Sequence, residues 1–563
     1  MAPTQLRDVE TDSSYAVFPE GLVVKSLEDI DQRSIDPRIS LSSRPDATEL
    51  DTRMVRQLSN FVQHKEPHSD SEKSPPIDEV LYVDFDEGDI RNPVCFPRSK
   101  KWGITLLACF STLIASFASS AYNLGIPSMT RDLNCTEFQA TVGFIVYPLG
   151  FGIVPLVTSS LSEEFGRQPL YIGSAIGFTT MYLLIALAKN IQTVIVARFL
   201  QGSFGSTWAT MVGGTIADIW TPHERGLPMA IFSVAALGGT GLGPVISGWI
   251  EMNPRLEWRW IEWIQMMRPL TLHRICAAYS IVVPMIMRET RSSILLTRLA
   301  NKIRKETGDH RYRARIEDER ASLSTLIFLS CTRPIQLLFT EPVVMAFSAS
   351  FLPRSLILFL WIGFLWGVLF CLIRSIPGVF QDLHHFNIGQ EGSVFASLVV
   401  GTALGFASNF YQEHLYHKHF DRRGPEARLI MACGAAIMLP ISMFIYAWCS
   451  FPRVTWIALV IALAMFTWAI FIVYLSVFSY LADCYGAFAS SALAGQSLCR
   501  NMLATVFPLF TAQMFSALGY KWANTMFALI ASVMAPIPFV LFFYGPTIRA
   551  RSKFSRAVVQ QHK

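Results

Sequence analysis

The sequence predicts an all-α membrane protein of twelve transmembrane helices in two six-helix halves. Three observations point there: too little charge, apolar runs of helical span length that recur along the chain, and one basic loop that divides those runs six and six. Of 563 residues, 52% are hydrophobic and only 16% charged. Soluble domains carry about 25% charged residues. The first hundred residues are polar, so the apolar mass is concentrated after them.

Residues 1–98 are rich in Asp, Glu, Ser and Pro and low in aromatics. Such a segment cannot offset its ordering entropy by burial, and it is expected to be a disordered cytosolic tail. Kinase regulation through its serines is one reading of it, and a solvated extension is the other. The first sustained apolar run begins near Gly103, with no secretory leader before it, so the first span is expected to act as its own insertion signal.

Crossing a hydrocarbon core of about 30 Å takes roughly 20 apolar residues as a helix. Runs of that kind fall near 103–125, 138–160, 169–188, 191–213, 227–250 and 261–287, then 343–380, 391–410, 429–449, 454–481, 488–515 and 521–544. The sixth is interrupted by Arg268, Pro269, His273 and Arg274. The seventh is too long for one span and holds Pro353 and Arg354, so both are expected to be irregular.

The domains follow: a first half at 99–287, a basic loop at 288–335, a second half at 336–545 and a tail at 546–563. The loop carries Arg298, Lys302, Arg304, Lys305, Arg311, Arg313, Arg315 and Arg320, which places it in the cytoplasm together with both termini. The acceptor triplet Asn134-Cys135-Thr136 then falls outside, where Asn134 is a glycosylation candidate. Thr215-Ile216-Ala217-Asp218-Ile219-Trp220 ends the fourth segment, and Tyr480-Leu481-Ala482-Asp483-Cys484-Tyr485 ends the tenth. Two such related halves, with substrate held between them near the midplane, are the plan of many secondary transporters.

Several function classes are excluded. The net charge of +5 is spread over loops, with no compact basic face for nucleic acid. The ten cysteines include no CxxC pair, and no histidines cluster at metal spacing, so neither a metal nor a cofactor is expected. There is no GxxxxGK[ST] loop and no convincing nucleophile–base set, so the chain is expected to be neither an ATP-driven pump nor an enzyme.

Arg198 stands out within the apolar helices. Gln201 and Gly202, three and four positions on, share its helical face, and Gly205 lies on a nearby line. That pattern suits a buried charge reaching a water-filled path, and a snorkelling arginine is the alternative. The fifth segment holds Gly239, Gly243, Pro244 and Gly248, which fit close helix packing and equally a contact that changes between inward-open and outward-open states. Between the second and third segments lies Ser159-Ser160-Leu161-Ser162-Glu163-Glu164-Phe165-Gly166-Arg167-Gln168-Pro169. Its charges, with Asp218 and Asp483, are candidates for ion pairs that break and reform at the cytoplasmic rim. Tyr122, Asn123, Gln201, Tyr474, Tyr480, Gln496 and Asn501 are polar groups in segments 1, 4, 10 and 11, each either pocket-lining or an interhelical hydrogen bond.

These motifs resemble the major facilitator superfamily. The stretch 159–169 resembles its first cytoplasmic signature, with Glu163 in the usual Asp place and Ser159 in the first Gly place; Arg198–Gly205 resembles its fourth-helix signature, and Gly239–Gly248 the fifth-helix signature of its antiporters. Trp258-Arg259-Trp260-Ile261, Arg288-Glu289-Thr290-Arg291, Pro425-Glu426-Ala427-Arg428-Leu429 and Ala489-Ser490-Ser491-Ala492-Leu493-Ala494-Gly495 are similar to the fungal twelve-span drug:proton antiporters, including the polyamine-exporter group. The resemblance covers about residues 100–552. It implies proton-driven export of small organic compounds across the plasma membrane, with Arg198, Glu163 and Asp218 coupled to proton movement and Gly166, Arg167, Gly202, Gly239, Gly243, Pro244, Gly248 and Asp483 serving conformational change. Tyr122, Asn123, Gln201, Tyr474, Gln496 and Asn501 are the expected substrate contacts. The expected partners are a small-molecule substrate, protons and the lipid bilayer. A polyamine exporter and a non-transporting sensor on the same scaffold are the alternatives. The family has ordinary spans where this chain has Met267–Arg274 and Ser350–Leu356.

Overall fold

The computed structural model describes residues 80–551 apart from 87, 222–223, 268–281, 319–324, 326, 329–330, 333–360 and 486–488. The expected tail up to residue 79, the C-terminal residues 552–563, and Arg268, Pro269, His273, Arg274, Pro353 and Arg354 lie outside the described residues.

The first half is built of α1 (Arg98–Ala121), α2 (Glu137–Ile153), α3 (Arg167–Ala186), α4 (Ile191–Ile219), α5 (Gly226–Glu251) and α6 (Glu257–Met267). Local signals set several ends. Thr136 and Gln139 form a capping box that starts α2, and the Asn190 side chain caps α4. Gly166, at φ 91°, turns the chain into α3. The second apolar run is one candidate span, Glu137–Ser159; Val154 keeps helical φ and ψ, and Pro155, lacking an N–H, only interrupts the hydrogen-bond ladder before the turns Pro155–Glu164.

An amphipathic helix follows, α7 (Ser292–Thr307), closed by Gly308 in the left-handed conformation. After it, β2 (Tyr312–Arg313) pairs in parallel with β1 (Leu81–Tyr82), so the chain just before α1 is hydrogen-bonded to the loop after α7.

The second half comprises α8 (Trp361–His384), α9 (Ala396–Arg423), α10 (Ile430–Cys449), α11 (Trp456–Tyr485), α12 (Ala489–Met534) and α13 (Ile537–Arg551), with a short helix Ile388–Val394 before α9. Gly519, at φ 72°, breaks α12 near the boundary expected between the last two segments. Helix α9 runs 13 residues past the expected end at 410. The apolar run stops there because Gln412, Glu413 and Tyr416 begin a polar end that other side chains satisfy, as described below.

Eight described stretches are long and apolar enough to cross a bilayer, and two of these, of 62 and 56 residues, each have the length of two crossings. Within the first half α1 packs on α5, α2 on α4 and α3 on α4; within the second, α8 packs on α12, α10 on α11 and α9 on α11. Across the halves α2 meets α12, and α5 meets α9. Leu106, Ile176, Leu183, Val196, Leu404, Ile437 and Val533 are exposed on these helices, an outer surface that suits lipid and not water.

Candidate functional site

Arg198 sits eight residues into α4 and is fully buried. Its guanidinium donates to Gln201 Oε1 (2.8 Å) and to the carbonyls of Ala118 (3.1 Å), Gly143 (3.4 Å) and Ser119 (3.5 Å). Tyr122 and Tyr147 cover its two faces, with ring centroids 4.6 and 4.5 Å away. The charge does not snorkel outward; it is enclosed by α1, α2 and α4. Gly202 permits this enclosure, since a side chain there would run into the Tyr147 backbone. The Tyr122 hydroxyl donates to Ala140 O at 3.1 Å. Glu262 of α6 is also buried, only 3% exposed, and its Oε2 has no hydrogen-bond partner. Glu262 lies in the sixth run, outside segments 1, 4, 10 and 11 that hold the expected pocket residues; a lone Glu in an apolar run was the available signal.

At the other end of α4, 20 residues or about 30 Å from Arg198, Asp218 pairs with Arg167 at 2.5 Å, both buried. Arg291 reaches Asp218 at 3.8 Å, and Thr290 donates to it at 3.4 Å. Behind this pair the buried Glu289 carboxylate accepts the backbone N–H groups of Arg167, Gln168, Thr290 and Arg291. It therefore caps α3, whose N-terminus has no side-chain cap of its own. The Glu163 side chain lies outside the described residues.

The second half has a matching cluster. Asp483, at the end of α11, accepts from Arg428 (3.3 Å) and from Tyr416 (3.4 Å); Arg428 also bonds Glu413 at 2.8 Å and lies over the Tyr416 ring. Glu413 is also packed beside Gly226 at the start of α5, so this cluster touches the first half.

Helix α5 uses its small residues on two sides. Gly239 and Gly243 face α1, where an added side-chain carbon would meet Leu113 O and Phe117 O, each at 2.6 Å. Gly241 and Gly248 face the second half, against Phe395, Leu398 and Ile388–Gly392. Pro244 lies between the two stripes, with its carbonyl against Gly392.

The expected substrate contacts divide into two groups. Tyr122 and Gln201 surround Arg198. Tyr474 and Gln496 flank Arg500 of α12, a residue that sequence reading did not single out: its guanidinium lies 4.5 Å from the Trp366 ring and 5.2 Å from that of Tyr474. Asn123 belongs to neither group; it donates to Ile373 O at 2.7 Å and so ties α1's end to α8. Asn501 bonds back to Ser497 and packs on Gly152 of α2. Tyr480 is buried and donates to Glu426 at 3.3 Å. Asn134 is exposed, in a left-handed turn at φ 48° just before α2.

A family model described as Major Facilitator Superfamily matches residues 108–499. The chain is 34% identical over 482 residues (85% of it, 76% of the relative) to the Major facilitator superfamily multidrug transporter mdrA of Aspergillus fumigatus. It is 31% identical to the Citrinin biosynthesis cluster MFS transporter mrr1 of Monascus ruber, covering 86% of this chain and 94% of that one. With the MFS-type efflux pump MFS2 of Trichophyton rubrum it shares 33% identity over 88% of its length and 80% of the relative's. The crystal structure of the human organic anion transporter MFSD10 (TETRAN) superposes with a TM-score of 0.50 at 15% identity, covering 78% of this chain and all of that one, a likeness of fold.

Proposed function

The chain belongs to the Major Facilitator Superfamily, and on that premise we propose that it exports small organic compounds across the plasma membrane by proton-coupled alternating access. The observation that carries the reading is Arg198, a fully buried charge against two tyrosines, with Glu262 of α6 a second buried ionisable group whose Oε2 has no hydrogen-bond partner. A guanidinium stays protonated at every physiological pH, so the proton must reside elsewhere. Glu262 is the group that takes and releases it, and Arg198 sets the energy of the charged form. The relatives named as efflux pumps and multidrug transporters support the export direction.

Substrate enters between the halves from the cytoplasm, where both termini lie. The Asp218–Arg167 and Asp483–Arg428 pairs hold the cytoplasmic ends of each half, and their exchange of partners accompanies rocking. The stripes Gly239/Gly243 and Gly241/Gly248, with Gly202 beside α2, are the surfaces on which the helices slide. Asn134 is then extracellular and open to glycosylation.

The test is uptake of fluorescent drugs, fungicides and labelled spermine into inside-out vesicles, with and without an imposed pH gradient. Gradient-driven uptake that disappears in Arg198→Ala and Glu262→Gln is the expected result. Uptake equal in wild type and both variants, at equal insertion, would refute the coupling assignment.

A further inference from the structure

The two buried arginines differ in how well they are satisfied. Arg198 bonds four acceptors. Arg500, only 6% exposed, has one long contact, Nη2 to Ser497 Oγ at 3.4 Å, while its Nε and Nη1 have no partner. No carboxylate lies within ion-pair distance of it among the described residues. Gln496, one turn earlier on the same helix face and fully buried, has neither amide atom paired. A buried cation and a buried amide left unsatisfied side by side are costly, and such groups persist where they serve a ligand.

The place fits. Arg500 lies in α12 inside the stretch Leu493–Ile548, which is apolar and long enough to cross a bilayer. Trp366 and Tyr474 take up the guanidinium's ring-facing surface, which leaves its edge donors for a planar oxyanion. Tyr474 packs on Phe478 (5.0 Å), and Phe478 packs on Phe232 of the first half (6.4 Å), so the cluster reaches the seam between the halves.

We propose that Arg500 and Gln496 form an anion subsite at this seam, and that the transported compounds include aromatic organic acids bound with the carboxylate on Arg500 and the ring against Trp366 and Tyr474. This rests on the export reading above and names its substrate class. It also disfavours a polycation as cargo, because the unneutralised charge here is positive.

The experiment is direct binding of radiolabelled 2-naphthoate, ionised at neutral pH, and of its neutral analogue 2-naphthamide to the purified full chain, paired with vesicle uptake of both. Wild type is expected to prefer the acid by about 10- to 100-fold, the range for charge-assisted hydrogen bonds. Arg500→Gln removes that preference, Arg500→Lys restores part of it, and Gln496→Leu reduces it. Equal wild-type affinity for the two probes, or a preference that persists in Arg500→Gln, overturns the subsite. If Arg500→Gln cannot be recovered folded, the wild-type preference and its loss in Gln496→Leu decide the matter. Export of neutral drugs without any acid preference refutes the subsite alone. Arg500-dependent naphthoate binding with no gradient-driven movement of any compound supports the subsite and refutes the export reading.

Discussion

Replacing Gly166 by Ala should destabilise the first half by two separable mechanisms. The residue sits at φ 91°, ψ 167°, a region essentially reserved for glycine, where a side chain costs about 1–3 kcal/mol. The new carbon would also collide with the Glu289 carboxylate. Displacing that carboxylate releases the N–H groups of Arg167 and Gln168, held at 3.0 and 3.2 Å. Two charge-assisted bonds at about 1.5–3 kcal/mol each make that loss about 3–6 kcal/mol. In a Glu289→Ala background the collision and the lost caps are already absent, so Gly166→Ala should then cost only the backbone strain. The double-mutant cycle should therefore show a coupling equal to that cap loss, about 3–6 kcal/mol. Equilibrium unfolding in mixed micelles by SDS titration, followed by circular dichroism, measures each corner. Additivity within about 0.5 kcal/mol would refute the proposed collision and the capping role of Glu289.

Arg198→Lys keeps the charge and loses the planar fork that reaches four acceptors, so gradient-driven vesicle uptake should fall about tenfold or more at equal insertion; an unchanged rate would refute the need for that geometry. Gly243→Ala drives a side chain into Phe117 O and should destabilise by about 1–3 kcal/mol, whereas Gly173, which has nothing within 4 Å, should accept Ala with no loss or a gain of up to about 1 kcal/mol. Thermal stability of the two variants in detergent distinguishes them. Val83→Pro deletes the N–H that bonds Arg313 O at 2.9 Å. It should open the β1–β2 contact and increase proteolysis near residues 80–90 while helix content, read by circular dichroism, stays constant.

Much of the fold was legible because helix formation and bilayer partition depend on short windows of sequence. The apolar runs, the gap at 516–520 between the last two of them, and the placing of Gln201 on the helical face of Arg198 three positions on are all local. The end of α9 was misplaced because its last turns are polar and are satisfied by Arg428 and Asp483, which come from elsewhere in the chain.

The site was legible only as residue types. Tyr474 and Gln496 were marked as pocket candidates, but Arg500, four residues from Gln496, was not, because a single arginine in an apolar run reads the same whether or not it has a partner. By itself the sequence determined where helices form and which of them carry charge, since those properties add up residue by residue along the chain. Only the tertiary structure decided that Arg198 is satisfied, that Arg500 is not, and that Glu289 caps a helix 122 positions away. Burial and pairing are set by distances between groups that the sequence places far apart, and those distances exist only once the helices have packed.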